Sequence, residues 1–256
     1  MTSSLLLSVL ILIPLMGAVM VGFGFAKNYD RPVAIALSGL QMILLVYLVT
    51  IFQVSKGFQF QESAHWIDLS LGALGHFSSR YAMGIDGLSL PLVLLTGLIS
   101  FIALWNSKEI KEKTAAYYGL VLLMNASLMG CFMAQDMFLF YVFFEFMLLP
   151  MYFLIGIWGG PRRQYASLKF FIYTLVGSLF ILMVMLGISM AYVDPYETAL
   201  LNGWVREGQN FDLEALLSVQ KTISAGEIPK HLIVHSFDIS ALSDVNNCLP
   251  GTIFSP

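Results

Sequence analysis

The stretch that decides the fold is residues 137–158, MFLFYVFFEFMLLPMYFLIGIW. Apart from Glu145 and two tyrosines, it contains only apolar residues, glycine and proline. A helix of about 20 such residues crosses the hydrocarbon core of a bilayer, so this stretch predicts a membrane-spanning helix. Asp136 directly precedes it, where a carboxylate caps the free N–H groups of a helix start. The Gly-Gly-Pro run at 159–161 predicts its end.

Five further stretches are long and apolar enough to cross a bilayer: Leu5–Phe25, Val33–Val54, Ile85–Trp105, Ala115–Ala134 and Ala166–Ala191. With residues 137–158 they predict an all-α membrane protein whose residues 1–191 form a bundle of six transmembrane helices. Only 11% of the residues are charged, against roughly 25% in soluble domains, so lipid is the solvent for most of the chain. Residues 192–256 form a polar extramembrane tail, in which Phe211–Ser224 has the spacing of a short amphipathic helix.

The distribution of basic residues predicts the orientation in the membrane. Loops that contain more Lys and Arg face the cytoplasm. One side of the predicted bundle carries Lys56 and Arg80. The loops of the other side carry Lys27, Arg31, Lys108, Lys111, Lys113, Arg162 and Arg163. The N-terminus and the tail after the sixth span are therefore both expected outside.

Glu145 is the residue on which the functional interpretation rests. It lies eight positions into its span, about 12 Å from the outer end at a rise of 1.5 Å per residue. An isolated ionised carboxylate at this depth is costly, so it must be neutralised, paired or hydrated. A carboxyl group that gains and loses a proton inside a protein is what a proton relay requires. The alternative is a protonated glutamate that only fixes helix packing.

Polar and open positions surround Glu145 on its helix. Tyr141, four residues before, and Tyr152, seven residues after, share its helix face. Pro150 has no N–H to donate to the carbonyl of Phe146, so an acceptor is freed next to Glu145. We therefore expect a polar, hydrated stripe inside the bundle.

Three further polar residues lie in or beside the spans. Lys169 either extends to the inner interface beside Arg162 and Arg163 or stands at the inner mouth of a proton route. Asn125 either hydrogen-bonds across helices or takes part in function. Asp86 is expected to cap the third span and form its turn.

The sequence contains no ligand set for a redox cofactor. Cys131 and Cys248 are far apart, and neither belongs to a CxxC motif. His231 and His235 have helical spacing, but they lack the glutamate or third ligand of a zinc site. We expect both histidines to be ordinary solvated residues, and we expect no cofactor or metal on this chain. No nucleic-acid partner is expected either.

Several stretches resemble the antiporter-like proton-pumping subunits of respiratory complex I. Two of them are GIDGLSLP at 84–91 and QDMFLFYVFFEFMLLP at 135–150. The runs YFLIGIWGG at 152–160 and ASLKFFIYTLVGS at 166–178 indicate the subunit M, or chain 4, type. The chain resembles the N-terminal part of such a subunit. That family has roughly fourteen helices, with two inverted repeats that contain broken helices.

The resemblance implies a function and a place for it. Glu145 stands where the family has its proton-relay glutamate, and Asp136, Pro150 and Lys169 match neighbouring motif positions. The chain would be a subunit of a proton-translocating NADH:quinone oxidoreductase in a bacterial inner membrane, alongside other membrane-arm subunits. NADH, FMN, the iron–sulfur clusters and quinone would be bound by partner subunits. The family continues with a seventh helix that carries a lysine partner for the glutamate, and residues 192–256 would lead to it.

Two other functions stay open from the sequence. A subunit of a multisubunit Na+/H+ antiporter or of a membrane-bound hydrogenase would share the glutamate motif but have different partners. An inactive, truncated membrane scaffold would only pack against its partners. Proton flux separates the scaffold from the two kinds of transporter.

Overall fold

The computed structural model describes residues 5–25, 29–54, 57–70, 76–205, 219–222, 232–244 and 247–249. The chain divides into two compact units. The first unit comprises residues 1–62, 83–134 and 140–179, and the second comprises residues 63–82, 135–139 and 180–256. Each unit is described by itself below.

Six long helices lie where the apolar stretches predict them. They are α1 (Leu6–Gly22), α2 (Asp30–Ile51), α3 (Ser89–Asn106), α4 (Thr114–Met133), α5 (Met137–Trp158) and α6 (Arg163–Ala191). The last five are long and apolar enough to cross a membrane, and α1 is shorter, with 17 residues. The third helix begins at Ser89 because Asp86 forms the turn before it. The Asp86 carboxylate accepts from the N–H groups of Leu88 and Ser89, which confirms its predicted capping role.

Small residues bring α1 and α4 close together. A Cβ atom at Gly119 of α4 would lie 3.1 Å from the Cα of Gly22 and 3.2 Å from the carbonyl oxygen of Ala18. A side chain here would have to push the two backbones apart by a few tenths of an ångström, so this crossing favours glycine, as is common where membrane helices pack backbone to backbone. Val21 and Leu122, both fully buried, belong to the hydrophobic cluster that continues from it.

A chain of hydrogen bonds joins α1, α2 and α4 within the first unit. Pro14 lies inside α1 and cannot donate to the carbonyl of Leu10. The side-chain amide of Gln41 on α2 donates to that carbonyl at 3.0 Å, and Asn125 on α4 donates to Gln41 Oε1 at 2.6 Å. Gln41 is 1% exposed and Asn125 is fully buried. Asn125 thus makes the cross-helix hydrogen bond that was one of its two predicted roles.

The start of α1 is capped by a residue far away in the sequence. The Glu62 carboxylate accepts from the backbone N–H of Leu7 at 2.8 Å and of Ser8 at 3.1 Å, and also from the Ser8 hydroxyl. Glu62 is buried, and α1 has no side-chain cap of its own. A carboxylate at a helix N-terminus satisfies free N–H groups and matches the helix dipole.

The second unit contains most of a small sheet and two short helices. The sheet contains β1 (Gln59–Ser70), β2 (His76–Ile85) and β3 (Val234–Ser236) in the order β1-β2-β3, with β2 and β3 parallel. The helices are α7 (Pro195–Leu201) and α8 (Ile239–Ser243). We interpreted residues 55–84 as a loop, so the strands are an addition to the predicted fold, but the all-α class stands because the sheet is small. The amphipathic helix predicted at 211–224 lies mostly outside the described residues.

Candidate proton-relay site

Glu145 is half-buried within α5, away from both ends of the helix. Its Oε1 atom is buried and has no hydrogen-bond partner among the residues that the structure describes. An unsatisfied buried carboxyl oxygen is a costly feature, which native proteins retain chiefly at functional positions. The open oxygen is therefore the place where a proton or a donor group can bind.

The second polar group at this site is the hydroxyl of Tyr141, one helical turn before Glu145. Because the two residues are four positions apart on one helix, their side chains share a helix face, as predicted. Tyr152 instead packs its ring against Phe171 of α6, with the ring centroids 5.4 Å apart.

Lys169 does not meet Glu145. Lys169 lies on α6 between two residues that contact the C-terminal half of α5. Ser167 is adjacent to Gly156, and Phe171 packs against Tyr152. Lys169 is therefore level with the C-terminal half of α5. Its side chain is exposed, and its Nζ lies 5.7 Å from the ring centroid of Tyr165 and 5.5 Å from that of Tyr173. These cation–π contacts hold the ammonium group on the exposed face of α6. Its two predicted roles remain predictions.

Asp136 caps α5 as predicted and also ties the helix start to β2. Its Oδ1 accepts from the backbone N–H of Leu139 at 2.9 Å and from the Ser79 hydroxyl at 3.0 Å, and its Oδ2 accepts from the N–H of Arg80 at 3.1 Å. Burial raises the pKa of Asp136, and these hydrogen bonds oppose the rise. The cap therefore fixes the start of α5 at Met137, eight residues before Glu145.

A charged cluster lies beside this cap in the second unit. The Arg80 guanidinium pairs with the Glu197 carboxylate and lies 5.8 Å from the centroid of the Tyr196 ring. Asp194 caps α7 by accepting from the N–H groups of Tyr196 and Glu197. Burial raises the pKa of Asp194, and the nearby Arg80 lowers it. Sequence reasoning missed this cluster because Arg80 lies more than a hundred residues from Asp194, Tyr196 and Glu197.

His235 is not a solvated residue, so that expectation was wrong. It is 6% exposed because β3 pairs with β2 and carries it inward, against Phe77 at 5.2 Å between ring centroids. Its Nδ1 lies 3.0 Å from the carbonyl oxygen of Ser189 and 2.8 Å from that of Tyr192. Burial lowers the pKa of His235. His231 lies outside the described residues.

Comparison with known proteins matches part of the chain to a family of membrane domains. Residues 134–217, which include α5 and α6, match the membrane domain described as NADH:quinone oxidoreductase/Mrp antiporter, TM. This part of the chain is thus similar to an antiporter-like membrane domain. The resemblance to the subunit M, or chain 4, type is confirmed, and Glu145, Tyr141 and Lys169 all lie within the matched residues.

Named relatives support the same assignment. The chain is 41% identical over 138 residues to NAD(P)H-quinone oxidoreductase chain 4 3 of Trichormus variabilis, covering 54% of this chain and 24% of that protein. It is 40% identical over 183 residues to F(420)H(2) dehydrogenase subunit M of Methanosarcina mazei, covering 71% of this chain and 36% of that protein. The chain thus spans between a quarter and about a third of the length of these relatives.

A solved structure extends the likeness to the fold. A chain of respiratory complex I from Thermus thermophilus with bound NADH is 30% identical, with a TM-score of 0.58. The match covers 83% of this chain and 39% of that one. This chain is therefore a multi-pass membrane protein with the architecture of part of an antiporter-like subunit.

Proposed function

We propose that the chain is a membrane subunit of a proton-translocating NADH:quinone oxidoreductase and that Glu145 is a proton-relay carboxyl group within it. The observation that carries this proposal is the buried, unpartnered Oε1 of Glu145 inside the matched antiporter-like domain. The relatives named above are subunits of quinone-reducing or F420H2-oxidising complexes, which supports a place in such a complex.

The proposal assigns only proton transfer to this chain. Glu145 would accept a proton at its open oxygen, hold it as a neutral carboxyl group and release it when a cation approaches from a neighbouring helix. A neutral carboxyl group tolerates the bilayer interior, whereas the carboxylate needs a donor or a counter-charge. Titration of this one group can thus follow movements of the helices around it.

The proposal assigns the redox chemistry to other subunits. NADH, FMN, the iron–sulfur clusters and quinone would be bound by partners, and this chain would bind no cofactor. The other membrane-arm subunits and the lipid bilayer would be its contacts, and the bacterial inner membrane would be its location. The basic loops around Arg31 and Arg163 would then face the cytoplasm.

The test is the variant Glu145→Gln in the assembled complex, reconstituted into vesicles. Gln keeps the size and the hydrogen bonding of Glu but cannot titrate. We expect most proton pumping and coupled quinone reduction to be lost, while electron transfer from NADH to an artificial acceptor persists. Glu145→Asp should restore part of the pumping, because Asp titrates but is one methylene shorter. The matched control is Glu109→Gln, at an exposed position between α3 and α4.

Full pumping by a normally assembled Glu145→Gln complex would contradict the proposal and would leave a packing role. The family description also names the Mrp antiporter, which favours one alternative function. In that case the vesicles would exchange Na+ for protons without any electron donor, and Glu145→Gln would abolish the exchange. Sodium-independent pumping that requires electron transfer would exclude this alternative.

A further inference from the structure

We infer that an anionic phospholipid binds in an apolar groove between α1, α4 and α5, with an acyl chain in the groove and its phosphate beside basic side chains at the opening. The groove has a volume of about 380 Å³, and all of its lining residues lie in the first unit. The lining consists of apolar side chains and glycine, among them Gly22 and Phe23 at the end of α1, Ala116 and Leu123 on α4, and Phe153 and Ile157 on α5. Such a lipid site would exist whether or not this chain carries protons.

Small residues leave the groove open, and large apolar side chains border it. A Cβ atom at Gly22 would meet no atom of the described residues within 4 Å. Phe23 and Phe153, which line the groove, are 78% and 41% exposed. The volume is within the range of about 300–1,000 Å³ that is usual for small-ligand sites. Because the lining offers no polar side chain, the groove suits a flexible hydrocarbon chain better than a polar ligand.

The groove opens at one end of the helices. α1 ends at Gly22 and α5 ends at Trp158, whereas α4 begins nearby at Thr114. The indole N–H of Trp158 donates to the carbonyl of Glu112 at 3.1 Å and so joins the end of α5 to the loop before α4. Tryptophan is enriched where a membrane meets water. The groove therefore opens at the level at which phospholipid headgroups lie.

Two exposed basic side chains belong to this opening. Nη1 of Arg163 donates to the carbonyl of Ile157, a lining residue, at 2.6 Å. A guanidinium group has five N–H donors, so Arg163 can bind this carbonyl and a phosphate oxygen at the same time. Lys113 directly follows Glu112 and stands immediately before α4, one turn before Ala116. The contact between Trp158 and Glu112 thus brings the second cation to the end of the groove at which Arg163 lies.

The charge of the surrounding loops favours an anionic headgroup. The three loops at this end of the helices contain seven basic residues but only three acidic ones, Asp30, Glu109 and Glu112. Basic pockets between transmembrane helices bind anionic lipid headgroups. The same loops are those expected to face the cytoplasm, where the membrane leaflet is anionic. An anionic phospholipid complements both parts of the site, whereas a neutral lipid or an apolar helix would complement only the groove.

The test uses photoreactive lipids and the whole chain, assembled with its partner subunits in vesicles. Phosphatidylglycerol and phosphatidylcholine, each with a diazirine in the acyl chain, are compared at equal mole fraction, and mass spectrometry identifies the labelled peptides. We expect phosphatidylglycerol to label the groove peptides at least about fivefold more, which is the preference that one basic residue near a membrane surface confers. Equal labelling by the two lipids, or an unlabelled groove, would overturn the inference. This comparison requires no variant.

Two kinds of variant then separate the charges from the groove. Lys113→Gln combined with Arg163→Gln should lower phosphatidylglycerol labelling to the phosphatidylcholine level, whereas Ala116→Phe should lower labelling by both lipids. The matched controls are Lys108→Gln, at an exposed position in the loop before α4, and Leu179→Phe, on the exposed face of α6. Neither control should change the labelling. An undiminished preference in the double variant, or undiminished labelling in Ala116→Phe, would contradict the site.

Discussion

The four-helix group α1–α4 and the pair α5–α6 differ in burial and in the hydrogen bonds between their helices. In α4, 56% of the apolar stretch is buried, against 17% in α5 and 11% in α6. The first group is joined by close backbone packing and by the chain from Leu10 through Gln41 to Asn125. The pair instead leaves large apolar side chains such as Phe180 and Tyr173 exposed.

The two helices that contain an internal proline show the same contrast. Pro14 frees the carbonyl of Leu10, and Gln41 occupies it. Pro150 frees the carbonyl of Phe146, beside the half-buried Glu145 with its open Oε1. A satisfied polar group stabilises a bundle, whereas an unsatisfied one is available for chemistry. The two prolines thus differ in their surroundings: a cross-helix hydrogen bond meets the carbonyl freed in α1, whereas an open carboxyl oxygen lies one residue from the carbonyl freed in α5.

The largest effect on stability should come from Gln41→Leu. This change leaves the Leu10 carbonyl without a donor and removes the acceptor of Asn125, which costs about 1–3 kcal/mol per unsatisfied group. The melting temperature of the assembled complex should fall clearly. The double variant with Asn125→Leu should lose less than the sum of the single changes, because the two residues share one bond.

A matched change in the other region sharpens this contrast. Thr174→Val on α6 removes a hydroxyl that bonds only its own helix, at 2.7 Å from the carbonyl oxygen of Phe170. We expect little change in melting temperature, since no other helix loses a partner. An equal loss in Thr174→Val and Gln41→Leu would remove the distinction between the two regions.

An intermediate effect on stability is expected at Glu62, a β1 residue whose carboxylate caps the start of α1. Glu62→Gln keeps one acceptor but removes the charge and the second acceptor that cap Leu7 and Ser8. The loss should be about 1 kcal/mol, within the range for helix caps and dipole interactions. Thermal melting measures it, with Glu109→Gln as the exposed control. No change in stability would show that the cap is dispensable.

The smallest effect concerns the end of α6 and depends on pH. His235 binds the carbonyls of Ser189 and Tyr192, and burial lowers its pKa. The unfolded state therefore takes up a proton at a higher pH than the folded state, and stability is lost as the pH falls below about 6.5. His235→Gln should flatten this dependence in a melting series. Identical pH profiles for wild type and His235→Gln would contradict this assignment.

The parts of this fold that are local in sequence could be predicted, and the parts that depend on distant partners could not. The lengths of the apolar stretches predicted the membrane spans. Glu145 became the candidate site because it is an isolated charged residue within one of them. The sequence shows that Pro14 lies inside a helix, but no residue near it indicates that Gln41 donates to the carbonyl that Pro14 leaves free. Glu62 and the Arg80–Glu197 pair join residues far apart in the chain. Most of β1 is exposed, so its sequence lacks the alternation that marks a half-buried strand.

The central claim is that α5 carries the proton-relay group while α1–α4 support it, and one paired measurement tests this directly. Proton pumping is measured per assembled complex for Glu145→Gln and for Gln41→Leu, with assembly quantified in the same membranes. We predict that Glu145→Gln assembles normally and loses most of its pumping, whereas Gln41→Leu assembles poorly and each complex that forms pumps normally. Normal pumping per complex in Glu145→Gln, or an equal loss per complex in both variants, would contradict the account.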